Sequence, residues 1–294
     1  MKILIFGENG QLAQEFKKLT STNKDVHQVG RSVADFLNPD QVVRLIREYK
    51  PTHIINTSAY TAVDKAESEQ AAAMHINGLM PGIIGETAKK IDASVTHFST
   101  DYVFNGRSSR PYVETDSIDP VNYYGLTKSV GDKNLSDTGC HHQIYRVSWV
   151  YGVYGNNFLK TMLRLGSERP ELKIVSDQHG APTASLEIAE AAWRILKDKQ
   201  LPDKDGIYHM APQGETTWFD FTQTIFDRAS YKKDQFKIIT ESVVPITSDQ
   251  FVSAAKRPKY SLLSSRKLKS TFGVELPEWN ESLDKVFKLL IAAH

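Results

Sequence analysis

The chain has 294 residues, enough for a full hydrophobic core arranged as one large or two smaller domains. Its 36 basic residues stand against 35 acidic ones, which argues against a nucleic-acid tail or a polybasic membrane patch but leaves room for a local basic pocket. With a single cysteine, Cys140, no internal disulfide can form, and no apolar run approaches the roughly 20 residues of a membrane span.

Residues 3–6 form an apolar run read as a buried strand, and 11–19 follow as a helix. Residues 25–29 read as a second strand, 39–49 as a helix capped by Asn38, and 53–56 as a third strand. Residues 66–90 read as helical, with a break or kink marked by Gly78 and Pro81. A fourth strand spans 94–99, a helix 122–135, and a fifth strand 143–148, ending in Trp149. Short apolar runs alternating with helical stretches predict βαβ units, hence an α/β fold with a Rossmann-type doubly wound parallel sheet. After residue 150 the rhythm loosens. Helices are expected at 157–166, 186–196, 218–229 and 283–291, and strands at 173–175 and 206–210. A turn is read at 180–183 and an irregular stretch or strand at 258–263. The division expected is a dinucleotide-binding domain over 1–150 and a smaller, mainly substrate-binding domain over 151–294, some of whose segments return to the first. The apolar run at Met1 is too short for a signal peptide, and a cytoplasmic location is expected.

Gly7-Glu8-Asn9-Gly10-Gln11-Leu12-Ala13 follows the first strand and opens the first helix. Glycines at 7 and 10 let the backbone approach a pyrophosphate, and the helix N-terminus offers free amides and a positive dipole end. Where sites for NAD carry a carboxylate after strand two, this chain has Arg31-Ser32. Arg31 could pair with a 2′-phosphate, which favours NADPH, with NADH as the alternative. A solvated surface arginine is the other reading. Ser58, Ala59 and Thr61 lie at the end of strand three, where ligands sit in such sheets, although a packed strand end reads equally well.

Tyr124 and Lys128 stand four apart on one helix, so a phenol and an amine share a face. An isolated tyrosine has a pKa of about 10. A neighbouring ammonium should favour the phenolate and make the phenol a competent general acid toward a ketone. Thr100, closing strand four, can hydrogen-bond the substrate oxygen. His141-His142 shows no metal-ligand spacing, and Lys232-Lys233 reads as a solvated face. Arg257-Pro258-Lys259-Tyr260 could meet a diphosphate or be structural, and Trp193, Trp218 and Phe221 read as core.

These residues resemble those of the extended short-chain dehydrogenases/reductases, and more narrowly the dTDP-4-dehydrorhamnose reductase branch. The resemblance runs through Gly7–Ala13, Ala59-Tyr60-Thr61-Ala62-Val63-Asp64-Lys65-Ala66-Glu67, Ser99-Thr100-Asp101-Tyr102-Val103-Phe104, Tyr124–Lys128, Arg146–Gly152, Gly155–Phe158 and Gly180-Ala181-Pro182-Thr183. It implies Thr100, Tyr124 and Lys128 as the catalytic set. It implies cofactor contacts from the glycine turn (Gly7, Asn9, Gly10, Gln11, Leu12) and from Ser58, Ala59, Thr61, Tyr124 and Lys128. It further implies that Val63, Thr100, Asp101, Trp149 and Asn157 meet a deoxysugar nucleotide whose C4 ketone is reduced. Related dehydratases carry Thr-Asp-Glu after strand four, whereas this chain has Tyr102, which disfavours elimination. Some relatives dimerise through magnesium held by carboxylates. Here Glu15 is present, but Leu186 is read where a second carboxylate is needed, so no metal is expected, and a monomer or weak homodimer is. The competing readings are a non-catalytic NADP-binding regulatory subunit and a reductase of a related nucleotide 4-keto deoxysugar.

Overall fold

A computed structural model describes all residues except 199–200, 233–234 and 293–294; Lys233 of the expected basic pair thus lies outside the described residues. In chain order the first half runs β1 (Ile3–Phe6), α1 (Gln11–Leu19), β2 (Val26–Val29), α2 (Pro39–Tyr49), β3 (His53–Asn56), α3 (Val63–Ala66), α4 (Gln70–Ala73), a π-helical turn (Met74–Leu79), α5 (Met80–Lys89), β4 (Ser94–Thr100), α6 (Tyr123–Asp137) and β5 (His142–Val147). The second half runs β6 (Val150–Tyr151), α7 (Phe158–Glu168), β7 (Glu171–Val175), β8 (His179–Gly180), β9 (Thr183–Ala184), α8 (Ser185–Leu196), β10 (Gly206–His209), β11 (Thr216–Thr217), α9 (Trp218–Ser230), β12 (Ser242–Ile246), α10 (Arg266–Phe272) and α11 (Trp279–Ala292).

Six strands form one parallel sheet in the order β10-β5-β4-β3-β1-β2. Along β1 the side chains alternate, with Ile3 and Ile5 facing one layer and Leu4 and Phe6 the other. Both faces are apolar because both are covered, so the strand reads as an unbroken hydrophobic run. The first layer packs Phe16 of α1 and Ile188 and Ile195 of α8 on the sheet. The second layer packs Val42 and Ile46 of α2, Ile84 of α5 and Leu135 of α6. Each such side chain contributes about 1.5–3 kcal/mol. A third cluster gathers Leu159, Phe221, Ile225, Leu283 and Phe287 from α7, α9 and α11 beside the parallel pair β7–β12. The chain leaves the sheet after β5, and α8 and β10 return to it.

The strand order turns back at β1 and β3, and ligands of doubly wound sheets sit in the crevice such a switch leaves at the strand carboxyl ends. Two local expectations differ from the structure. Asn38 makes no side-chain cap; Pro39 at the first helical position, with its fixed φ, starts α2 instead. The helical stretch before β4 is interrupted at Gly78, as expected, by a π turn over Met74–Leu79, whereas Pro81 makes no kink and sits in the first turn of α5.

Candidate active site

A cleft of about 1010 Å³ opens at the carboxyl ends of β1, β3 and β4. Its first wall is the glycine turn. Gly7 has φ +117°, and a Cβ there would overlap the Thr57 hydroxyl, which is itself fixed by donating to the Phe6 carbonyl at 2.7 Å. Gly10 caps α1 with no side-chain hydrogen bond, and a Cβ built on it meets nothing within 4 Å. Free amides therefore face open space at a helix N-terminus, the arrangement an anionic pyrophosphate requires. Asn9, Gln11 and Leu12 continue this wall; Arg31 lines its far end, exposed, with Nε 3.3 Å from Asp35. Ser58, Ala59, Thr61 and Val63 form the opposite wall. That wall is tied to α6 through Asn77 of the π turn, which bonds both the amide and the carbonyl of Tyr60 and the Thr127 hydroxyl.

Thr100, Asp101, Tyr124 and Lys128 meet at the cleft floor. Asn122 caps α6 by accepting from Gly125 N at 2.7 Å, which places Tyr124 in the first turn. Two glycines let α6 press inward: a Cβ at Gly125 would strike the Tyr102 carbonyl, and one at Gly131 the Asn77 carbonyl. The Tyr124 phenol lies beside Thr100 in the cleft. Thr100 Oγ1 in turn donates to Asp101 Oδ1 at 3.0 Å and accepts from Tyr102 N at 3.2 Å. Tyr102 stands edge-on to Tyr124, with ring centroids 6.0 Å apart.

The electrostatics depart from the sequence reading. Burial, and next the Asp101 carboxylate, raise the Tyr124 phenol above its ordinary value, while the Thr100 hydroxyl opposes the rise. Lys128 does not offset it. Its Nζ donates to the Phe98 carbonyl at 2.6 Å and lies 3.2 Å from His97 Nε2. Burial lowers this amine to about 8, against the favourable field of Asp132. Asp101 is raised by burial to about 7, opposed by its bonds with Thr100 and Ser261. Without a bound ligand the phenol thus keeps its proton through neutral pH.

The other end of the cleft is aromatic. Trp149 and Trp218 stack with centroids 3.5 Å apart and planes 9° from parallel. Trp218, read from sequence as core, packs against the third cluster and also lines the cleft. Trp149 has φ +46°, a left-handed conformation that costs a bulky residue about 1–2 kcal/mol. It is held by Thr183 N donating to its carbonyl at 3.2 Å, by the β6–β9 pairing, and by Gly180, where a Cβ would stand 2.5 Å from the indole. Gly180 has ordinary φ, so glycine is required there for space.

Asn157 does not line the cleft. Its Oδ1 accepts from Lys160 N to cap α7, and its Nδ2 donates to Gln11 Oε1 at 3.1 Å and to two loop carbonyls. Arg257 is also committed within the chain: Nη2 pairs with Asp64 at 2.8 Å, and Nη1 donates to the Ala255 carbonyl at 3.4 Å. This pairing, with Asn122 Nδ2 donating to the Lys256 carbonyl, straps residues 255–257 against the site.

α8 does present a carboxylate to Glu15, one helical turn beyond the position read from sequence. Glu190 shares a hollow of about 380 Å³ with Glu15, and Leu186 lines it as well. Glu15 is buried, which raises its pKa, and accepts from the Ser185 hydroxyl at 2.8 Å. Among the described residues no group of three or more His, Cys, Asp or Glu could hold a metal ion, and no helix is long and apolar enough to cross a membrane.

Residues 1–291 match the family described as the RmlD substrate binding domain. The chain is 39% identical to the dTDP-4-dehydrorhamnose reductase of Burkholderia thailandensis, over 95% of each chain. A crystal structure of a dTDP-4-dehydrorhamnose reductase from Clostridium acetobutylicum superposes with a TM-score of 0.91 at 36% identity, covering 99% of this chain and all of that one. That of the Bacillus anthracis enzyme, in complex with NADP, superposes at 0.90 with 34% identity, covering 98% of this chain and all of the other.

Proposed function

Because the chain belongs to the RmlD substrate binding domain family, we propose that it reduces the C4 ketone of dTDP-4-dehydro-L-rhamnose to dTDP-L-rhamnose with NADPH, in nucleotide-sugar synthesis for cell-surface polysaccharide. One observation carries the reading: Thr100, Tyr124 and Lys128 lie in the same cleft as an uncapped glycine turn and a stacked tryptophan pair.

The bound cofactor would supply the hydride and leave a positively charged ring. The amides at Gly10 to Leu12 would hold its pyrophosphate, and Arg31 its 2′-phosphate by exchanging its exposed pairing with Asp35. Ser58, Ala59, Thr61 and Lys128 would contact its nicotinamide half. The hydroxyls of Thr100 and Tyr124 would converge on the sugar's carbonyl oxygen, and Oη of Tyr124 would give it a proton as the alkoxide forms. A phenol that stays protonated at neutral pH suits that donor. Val63, Asp101 and Trp149 would bound the deoxysugar. Tyr102, a half-buried phenol raised by desolvation and by Asp101, cannot replace a carboxylate base, which disfavours elimination at this site. The single buried cysteine and the absence of a membrane-spanning helix among the described residues support a cytoplasmic reaction, and we expect a monomer or weak homodimer.

A panel of nucleotide 4-keto sugars with NADPH, followed at the nicotinamide absorbance, tests the assignment. Oxidation specific to the dTDP-4-keto-6-deoxy sugar is expected. Absence of turnover with every keto sugar, despite tight NADPH binding, would reverse it in favour of a binding role.

A further inference from the structure

Behind Lys128 runs a buried hydrogen-bond chain that the reaction above does not use. Ser58 N donates to Asn56 Oδ1 at 3.1 Å, which fixes the orientation of that amide. Asn56 Nδ2 therefore faces His97 Nδ1 as a donor, at 3.1 Å. A neutral imidazole carries one proton, so with Nδ1 accepting it must sit on Nε2. Nε2 lies 3.2 Å from Lys128 Nζ, which donates on its other side to the Phe98 carbonyl at 2.6 Å. An ammonium has no lone pair and cannot accept from Nε2–H; an amine can. Asn56, His97 and Lys128 are 2%, 1% and 2% exposed, which leaves little access for water to relieve a mismatch.

The surrounding charges permit this. Burial pushes the His97 imidazole well below its usual range, so it carries no second proton. On α6, Asp132 favours charge on Lys128, but its carboxylate is paired with Arg146 of β5 at 3.1 Å. Tyr124 on the same helix is protonated, Asp101 lies just past β4, and His142 of β5 acts on His97.

We propose that Asn56 and His97 are positioning residues that hold Lys128 as a neutral amine through an Nε2–H···Nζ bond. Lys128 becomes an ammonium, taking a proton from solvent, when the Asn56–His97 bond gives way and the imidazole proton moves to Nδ1. Burial, opposed by the charge of Asp132, brings the amine to about 8, and a bond only the amine can accept draws it lower. Since Asn56 also grips Ser58 N, charge at Lys128 is linked to the wall of the cleft. The functional meaning rests on the reading of Lys128 as the neighbour of the proton donor.

The test uses the ligand-free chain. Long-range proton–nitrogen spectra of the histidine-labelled protein, with His97 assigned by comparison with His97→Gln, should show the Nε2–H tautomer at neutral pH. An Nδ1–H tautomer or an imidazolium there would overturn the proposal. The Lys128 side-chain carbon resonance should titrate with a midpoint below 8; a midpoint at or above 8 would also overturn it. In Asn56→Ala, which frees the imidazole to change tautomer, and in His97→Gln, whose carbonyl can face an ammonium, the midpoint should rise by about one unit or more. An unchanged midpoint in both counts against the chain. Should the variants not fold, the wild-type tautomer decides alone. None of these spectra needs substrate, so a chain without reductase activity would still report the tautomer, and the two failures stay distinguishable.

Discussion

Replacing Gly125 by alanine moves the proton donor without touching its chemistry. Gly125 follows Tyr124 in the first turn of α6, and a Cβ there would overlap the Tyr102 carbonyl oxygen and stand 2.9 Å from its carbon. Both atoms are backbone, so no side chain can swing clear. A carbon–oxygen contact settles near 3.3–3.6 Å, which requires the start of α6 to retreat by about 1 Å. A 1 Å misplacement of a catalytic group costs on the order of 100-fold, or about 2.7 kcal/mol. Stability changes less: overpacking costs about 1–3 kcal/mol, and alanine returns up to about 1 kcal/mol of helix propensity. The assay is NADPH oxidation with the keto sugar, alongside NADPH binding measured by nicotinamide fluorescence. A fall of about 100-fold in kcat/KM with cofactor affinity retained is expected. Wild-type turnover in a folded Gly125→Ala protein would refute the close-approach reasoning.

Gly180→Ala and Trp218→Leu should each disturb Trp149, raising KM for the keto sugar several-fold while KM for NADPH stays put and the near-ultraviolet signal of the stacked pair is lost. Asp132→Ala leaves the Arg146 guanidinium buried without its partner, both side chains being 3% exposed, and should cost about 3–5 kcal/mol in urea unfolding. Asp132→Leu combined with Arg146→Met should recover most of that loss; no recovery would mean the pair itself is strongly net stabilising. Burial lowers His53 to about 3, and burial and then Arg146 lower His209 to about 3. In the unfolded chain each binds a proton near 6.5, so the unfolded state holds more protons between about 3 and 6.5. Stability should therefore fall as pH drops through 6.5, by about 1.4 kcal/mol per unit per histidine; a flat profile down to pH 5 would contradict their buried neutral state.

What the sequence made legible was local. The glycine turn, the Tyr124–Lys128 spacing and the end of β4 are each contained in a few residues, and the parallel sheet follows from apolar runs alternating with helices. What it hid depends on which segments meet. Lys128 turns toward Phe98 and His97, some 30 residues upstream, so its effect on Tyr124 could not be read from helical spacing. Trp218 shares the helical spacing of a core residue, yet stacking on Trp149 brings it to the cleft. Asn157 sits in a motif beside cleft residues, but its capping bond to Lys160 N turns it away. Glu190 comes near Glu15 because α1 and α8 pack side by side, a meeting that no short motif in either helix announces. Arg257 finds Asp64 from 193 positions away, a pairing no motif announces.

Tyr124→Phe puts the proton donor itself to the test. It removes one hydroxyl from a half-buried ring whose packing against Tyr102 remains. With the dTDP-4-keto sugar and saturating NADPH, turnover should fall by roughly 100- to 10,000-fold while NADPH still binds. Turnover near the wild-type rate would contradict the assignment of this phenol as the acid, and with it the reductase mechanism.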